Sequence, residues 1–353
     1  MLRRSVWIFL VLVLGLAACS PSTPSVHPTA THPLVPSPSQ TPAPSRTPTA
    51  LPSPTPTSTP TPDPYADVTV AGLRSRTYGS GELEVVQRYG RNADFTRYEI
   101  RYPSDGLSIA GFMNVPNGEG PFPVIIAIHG YIEPGRYNTL DYSATYADSL
   151  AQAGYLVLHP NLRGYTPSDD GPNRFRAGYA VDVLNLIAIL EAQAGRPGPL
   201  EQADPDRLGL WGHSMGGGVA IRVMVVSPEV DAVALYGSMS ADDDLNFERI
   251  NTFFKTGNLG IEELQASPED FARISPVNFL ADVRAAVSIH HGGADLAVPP
   301  AWSDDLCQRL QDLGKDVECF SYPGQPHTFI DKGDTLFRQR VRDFFDRVLK
   351  ADN

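Results

Sequence analysis

Cysteine is scarce in this sequence. It occurs three times in 353 residues, which excludes a cysteine-dense framework. Positive charge is also in deficit. The chain has 28 Lys and Arg against 40 Asp and Glu, a formal net charge of −12. That balance argues against nucleic acid as a partner. The apolar run near the N-terminus, Val6 to Leu14, is too short for a convincing membrane span. No histidine or acidic cluster has a spacing that points to a metal, and no cofactor is implied.

What is present falls into three parts. Residues 1–18 read as an export signal, with Arg3 and Arg4 ahead of the apolar run and small residues after it. The run ends in "LAAC", which resembles a bacterial lipobox with Cys19 as the lipidated first mature residue. An ordinary secretory signal cut near Ala18 is the alternative. Residues 19–64 are almost wholly Pro, Ser, Thr and Ala. Such a stretch buries too little apolar surface to order itself, and as polyproline II its reach approaches about 140 Å. The expected location is the cell surface or periplasm, with membrane contact only through the lipid anchor. In that setting Cys307 and Cys319 either pair or remain two buried thiols. Oligomeric state stays open.

Residues 65–353 suit one large domain. Residues 65–120 carry edge strands: "FTRYEIRYPS" and "LSIAGFMNVP" alternate apolar with polar around a turn at Asp105-Gly106. Continuous apolar runs then alternate with helical periods. Buried strands are expected in "FPVIIAIHG", "YLVLHPN", "DRLGLWG", "VDAVALYGS", "AAVSIHHGGAD" and "DVECFSYPG". Helices are expected in "YSATYADSLAQAG", "AGYAVDVLNLIAILEAQ", "MGGGVAIRVMVV", "PAWSDDLCQRLQDLG" and "TLFRQRVRDFFDRVLK". The alternation predicts a mostly parallel central sheet with helices on both faces and an antiparallel N-terminal edge. Within residues 240–272, "FERINTFF" and "IEELQ" look helical and suggest a small lid.

Ligands of such sheets lie beyond the carboxyl ends of the strands. At one of those ends stands Gly212-His213-Ser214-Met215-Gly216. A serine between glycines, after a strand and before a helix, fits a sharp turn that lifts its Oγ above the sheet. A serine nucleophile needs a base, and the base needs an orienting acid. Asp295 follows the strand "AAVSIHHGGAD" and His327 follows the next one, so Ser214, Asp295 and His327 are expected at one rim. The backbone N–H of Met215 is the expected first oxyanion donor. Tyr131 N–H, with Ile132 next, is the expected second. Other candidates have plainer readings. Asp304 and Asp305 read as solvated helix residues, and Asp242 to Asp244 as a solvated turn. His213, His290 and His291 read as packing residues.

With these residues in place, the domain resembles an α/β-hydrolase. It is most similar to the catalytic domain of the prolyl oligopeptidase family and its esterase-like relatives. The resemblance rests on "PFPVIIAIHG", "NLRGYTPSDD", "ADPDRLGLWGHSMGGG", "SPVNFL" and the segment from His290 to Phe329. It implies Ser214 as nucleophile, Asp295 as acid and His327 as base. Full-length family peptidases usually carry a β-propeller, and residues 65–110 are too short for one. "GHSMGGG" is also similar to the elbow of lipases and cutinases. The expected function is therefore a serine hydrolase acting on a peptide or small-molecule substrate. A prolyl oligopeptidase-like peptidase comes first and an ester hydrolase second. A non-catalytic surface binding protein is the alternative from another class. Arg163 suits either a substrate carboxylate or an ion pair that braces its loop.

Overall fold

The structure, a computed structural model, describes residues 62–254 and 261–351. The expected signal segment, Cys19 and all but the last three linker residues lie outside the described residues. Among the described residues no helix is long and apolar enough to cross a membrane.

Among the described residues nine strands form one sheet: β1 Glu84–Arg91, β2 Phe95–Ser104, β3 Leu107–Pro116, β4 Phe122–Ile128, β5 Leu156–Pro160, β6 Ala203–His213, β7 Ala232–Tyr236, β8 Ala286–Gly292 and β9 Val317–Tyr322. Their spatial order is β1-β2-β3-β5-β4-β6-β7-β8-β9. β1, β2 and β3 pair antiparallel, and β3 pairs antiparallel with β5. Every pair from β5 through β4 to β9 is parallel. The carboxyl ends of β4, β6, β7 and β8 therefore share one rim, where the loops carrying the candidate residues begin.

Among the described residues eight α-helices accompany the sheet: α1 Val70–Ser75, α2 Ala144–Gln152, α3 Ala177–Gln193, α4 Met215–Val226, α5 Asp243–Arg249, α6 Pro268–Ile274, α7 Pro300–Asp312 and α8 Asp331–Leu349. The two-residue period of the strands divides the core in two. Val124, Ile126, Leu208, Leu210, Val233 and Leu235 join the layer under α3, α4 and α7. Their neighbours Ile125, Ala127, Trp211, Ala234 and Tyr236 join the layer under α2 and α8. On α8, Phe337, Phe344 and Phe345 are fully buried, each contributing roughly 1.5–3 kcal/mol by leaving water. The structure joins Cys307 of α7 to Cys319 of β9 by a disulfide.

The N-terminal region differs from its sequence reading in one respect. Residues 65–120 hold a helix as well as edge strands, because α1 was hidden by its shortness. Thr69 caps it by accepting from Gly72 N–H, and Val70 and Leu73 are buried. The expected lid is a chain of short turns: α5, a π-helical turn Ile250–Phe254, a 3-10 turn Ile261–Gln265 and α6. Residues 255–260 of it lie outside the described residues.

Candidate active site

Ser214 stands between β6 and α4 at φ 55° and ψ −116°. For a non-glycine residue that is a costly backbone position, of order 1–3 kcal/mol. Local contacts hold it there. Ser214 N–H donates to the Tyr236 carbonyl at 2.9 Å, and the Ser214 carbonyl accepts from Gly217, Gly218 and Met239. The flanking glycines are required by close approach. A methyl carbon on Gly212 would stand 2.4 Å from the Gly216 carbonyl oxygen. One on Gly216 would stand 2.2 Å from the Ile128 carbonyl oxygen at the end of β4.

Asp295, after β8, is paired with His327, after β9. His327 Nδ1 lies 2.6 Å from Asp295 Oδ2. The Asp295 side chain is wholly buried. Desolvation pushes its pKa up, but hydrogen bonds from His291 and His327 and from Val298 N–H outweigh this and hold the carboxyl below its ordinary range. Asp295 Oδ1 accepts from the backbone N–H groups of Ala297 and Val298 at 2.8 and 2.9 Å. An ionised carboxylate supported in this way can only accept, so His327 Nδ1 carries the proton and Nε2 is free to act as a base.

No hydrogen bond joins the His327 and Ser214 side chains among the described residues, but the two share neighbours. A carbon added to Gly237 would be 3.3 Å from His327 Nδ1 and 3.4 Å from Asp295 Oδ2. Gly237 directly follows Tyr236, whose carbonyl holds Ser214 N–H. His213, beside the serine, lies 4.7 Å centroid to centroid from the His327 ring.

Two histidines do more than pack. His291 Nε2 lies 3.1 Å from Asp295 Oδ2, so the acid is held by two imidazoles. His213 closes a relay. Gly130 N–H donates to the Tyr142 hydroxyl at 2.9 Å, and that hydroxyl lies 2.7 Å from His213 Nδ1. His213 Nε2 lies 3.1 Å from the His327 carbonyl, which can only accept. Nε2 therefore carries the proton and Nδ1 accepts from Tyr142. Burial, followed by the neighbouring His327, lowers the pKa of His213 to about 3, so the ring stays neutral. Tyr142 thus ties the loop after β4 to the loop bearing His327. No sequence spacing signalled this link. His290 does pack, stacked on Phe320.

Met215 N–H opens α4, where the first helical amides lack intrahelical acceptors. Neither Met215 N–H nor Tyr131 N–H donates to another protein group among the described residues. Both residues line a pocket of about 250 Å³ that opens on Ser214. Ile132 N–H faces the Tyr165 hydroxyl.

Arg163 braces its loop. It is 4% exposed and pairs with the buried Asp182, which also accepts from Arg163 N–H. Asp243 corrects the expectation of a solvated turn, since it is buried between Arg176 and Arg222. Asp242 caps α5 by accepting from Asp244 N–H. Asp305 is exposed and pairs with Arg309 one turn along α7. Among the described residues no cluster of His, Cys, Asp and Glu could hold a metal ion.

Known proteins share this frame. Residues 109–350 match the dienelactone hydrolase family. The uncharacterized peptidase YuxL of Bacillus subtilis is 26% identical over 277 residues, covering 73% of this chain and 40% of the relative. A puromycin-hydrolyzing peptidase of Mycobacterium tuberculosis superposes at TM-score 0.56 and 20% identity, over 74% of this chain and 41% of its own. Acetyl xylan esterase 1 of Thermoanaerobacterium sp. superposes at TM-score 0.55 and 20% identity, over 79% of this chain and 92% of its own. The chain thus spans less than half the length of both peptidases. The architecture is that of an α/β-hydrolase resembling the prolyl oligopeptidase family.

Proposed function

Because the chain belongs to the dienelactone hydrolase family and is a hydrolase, we propose that it cleaves acyl bonds through a covalent intermediate on Ser214. One observation carries this reading: a strained serine at the end of one strand, and past the ends of β8 and β9 in the same parallel sheet a histidine already held by a buried carboxylate. His327 Nε2 takes the Ser214 hydroxyl proton as Oγ attacks the carbonyl carbon. Asp295 holds the imidazole in the useful tautomer and stabilises its charge. The amides of Met215 and Tyr131 receive the oxyanion, each such donor being worth about 3 kcal/mol in the transition state. Collapse breaks the acyl bond, and His327 returns the proton to the departing group. Water, deprotonated by the same imidazole, then releases the acid and restores the serine.

A peptidase reading comes first, supported by the likeness to YuxL. Ester hydrolysis is the second reading. It is favoured by a pocket in which Arg176 and Arg222 are already engaged by acids, leaving no free arginine clamp for a peptide carboxylate among the described residues. N-blocked aminoacyl and prolyl amides compared with p-nitrophenyl acyl esters separate the two. Turnover of amides supports the peptidase, and turnover of esters alone supports the esterase. No turnover by folded protein, without labelling by a fluorophosphonate, would return the surface-binding alternative.

The protein is further proposed to be an exported lipoprotein, with residues 19–64 as its stalk. The paired Cys307 and Cys319 suit an oxidising compartment. Cys19→Ala is expected to move the protein from the membrane fraction to the soluble one. Unchanged membrane retention would contradict the anchor.

A further inference from the structure

We infer that the pocket beside Ser214 binds an uncharged acyl group and rejects acyl groups carrying a carboxylate or an ammonium, because its own charges cancel. The inference rests on the acyl-enzyme reading and adds the class of substrate to it.

The pocket's position identifies which half of the substrate it takes. It opens on Ser214, Met215 and Tyr131, whereas His327 does not line it. The departing group must lie where His327 can protonate it. The space bounded by the serine and the two amides, away from the imidazole, is left for the acyl part. Its walls include Phe175, Val219, Met239, Ile250, Phe254 and Pro276.

Among the described residues four charged side chains also line it: Arg176, Arg222, Asp243 and Glu263. Arg176 binds Glu263 at 2.9 Å and Asp243 at 3.1 Å. Arg222 binds the second oxygen of Asp243, and it also donates to the carbonyls of Ile274 and Phe175. The side chains of both acids are 3% exposed and that of Arg222 is 5% exposed. The set is thus two cations and two anions, paired and mostly out of water. Phe175 and Arg176 both adopt positive φ, 50° and 59°, which fixes the backbone that presents the Arg176 guanidinium.

An entering carboxylate would reach Arg176 only by displacing Glu263 or Asp243. That acid would then remain buried and unpaired, which is strongly unfavourable. An entering ammonium faces the mirror problem, because both acids are already engaged. A neutral chain displaces nothing and gains the apolar walls. The cancellation also makes the specificity invertible: removing one acid leaves a surplus cation, and removing one cation leaves a surplus acid.

The test uses three p-nitrophenyl esters with six-carbon acyl chains: hexanoate, monoadipate and 6-aminohexanoate. For the unaltered protein, kcat/KM for hexanoate is expected to exceed both charged esters by about 100-fold. A preference below about tenfold for either one would overturn the inference. Each variant is then scored by the ratio of charged to neutral turnover within its own preparation, so partial loss of folded protein cancels. Glu263→Gln is expected to raise the monoadipate-to-hexanoate ratio at least about tenfold. Arg176→Gln is expected to raise the 6-aminohexanoate ratio instead. Unchanged ratios in both would overturn the inference, and either variant alone suffices if the other does not fold. Absence of hexanoate turnover together with absence of fluorophosphonate labelling at Ser214 would instead sink the acyl-enzyme reading. Labelling with turnover blind to charge would sink the pocket reading alone.

Discussion

The nucleophile turn and the segment from Asp243 to Asp282 face the same pocket but are held by different physics. At the turn, backbone hydrogen bonds and glycines packed against carbonyls fix Ser214, with partners supplied by β7, the loop that follows it, and α4. In the later segment, short helices and turns present their side chains to the pocket through ion pairs with distant elements. Arg176 and Arg222 belong to the loop before α3 and to α4, yet both meet Asp243. The difference separates two tasks. On the proposed reading, steric necessity would fix where the acyl bond is broken, and paired charge on a less regular wall would set what is admitted.

Substitutions at the two regions should therefore fail in different ways. The largest effect is expected from Asp295→Asn, which reverses the tautomer of His327. Its kcat should fall by roughly 10⁴-fold, and steady-state kinetics on a turned-over ester would show it. A loss under tenfold would mean that the imidazole does not depend on this acid.

Gly216→Val and Asp243→Asn come next, and together they sharpen the contrast. Gly216→Val drives a side chain into the Ile128 carbonyl. It should cost several kcal/mol in a denaturant titration and abolish fluorophosphonate labelling. Asp243→Asn leaves buried guanidinium groups short of an anion and should cost about 3–5 kcal/mol. Folded Asp243→Asn should still label at Ser214. If both variants lose labelling while folded, the two regions are not separable.

Acid should weaken the sheet side selectively. Burial lowers the pKa of His159, His213 and His290 to about 3 in each case. Unfolded imidazoles titrate near 6.5. Above that pH neither state takes the proton; below it only the unfolded chain does, so stability falls as pH drops from about 6.5 towards about 3. Asp295, held below its ordinary range, adds to the loss at the acid end. Unfolding free energies from urea titrations at pH 7.5 and pH 5 should differ by roughly 2 kcal/mol per histidine. Equal values would contradict neutral burial. The segment from Asp243 to Asp282 has no histidine, so it contributes no imidazole to this loss.

The smallest effect is expected from Tyr142→Phe. It removes the hydroxyl between Gly130 and His213, and with it both of that hydroxyl's hydrogen bonds, and should lower kcat by about tenfold with KM nearly unchanged. Unaltered kcat would show that the relay does not position the site.

The parallel half of the sheet was legible because its strands are continuous apolar runs, and the pairing of Asp295 with His327 follows from both residues sitting just past neighbouring strands. The turn at Ser214 was legible because the glycines answer a local clash. Other features had no local signature. Asp243 looks like part of an acidic turn until the fold brings Arg176 and Arg222 to it. His291 and His213 looked like packing residues because their partners, Asp295 and Tyr142, are set by tertiary placement. Helix α1 has only six residues, too few for a period to show.

The central claim is that Ser214 is the nucleophile, and intact-protein mass spectrometry after fluorophosphonate treatment tests it most directly. The account predicts one adduct, mapped to Ser214, on the unaltered protein and none on Ser214→Ala. An adduct of equal yield on folded Ser214→Ala would contradict it.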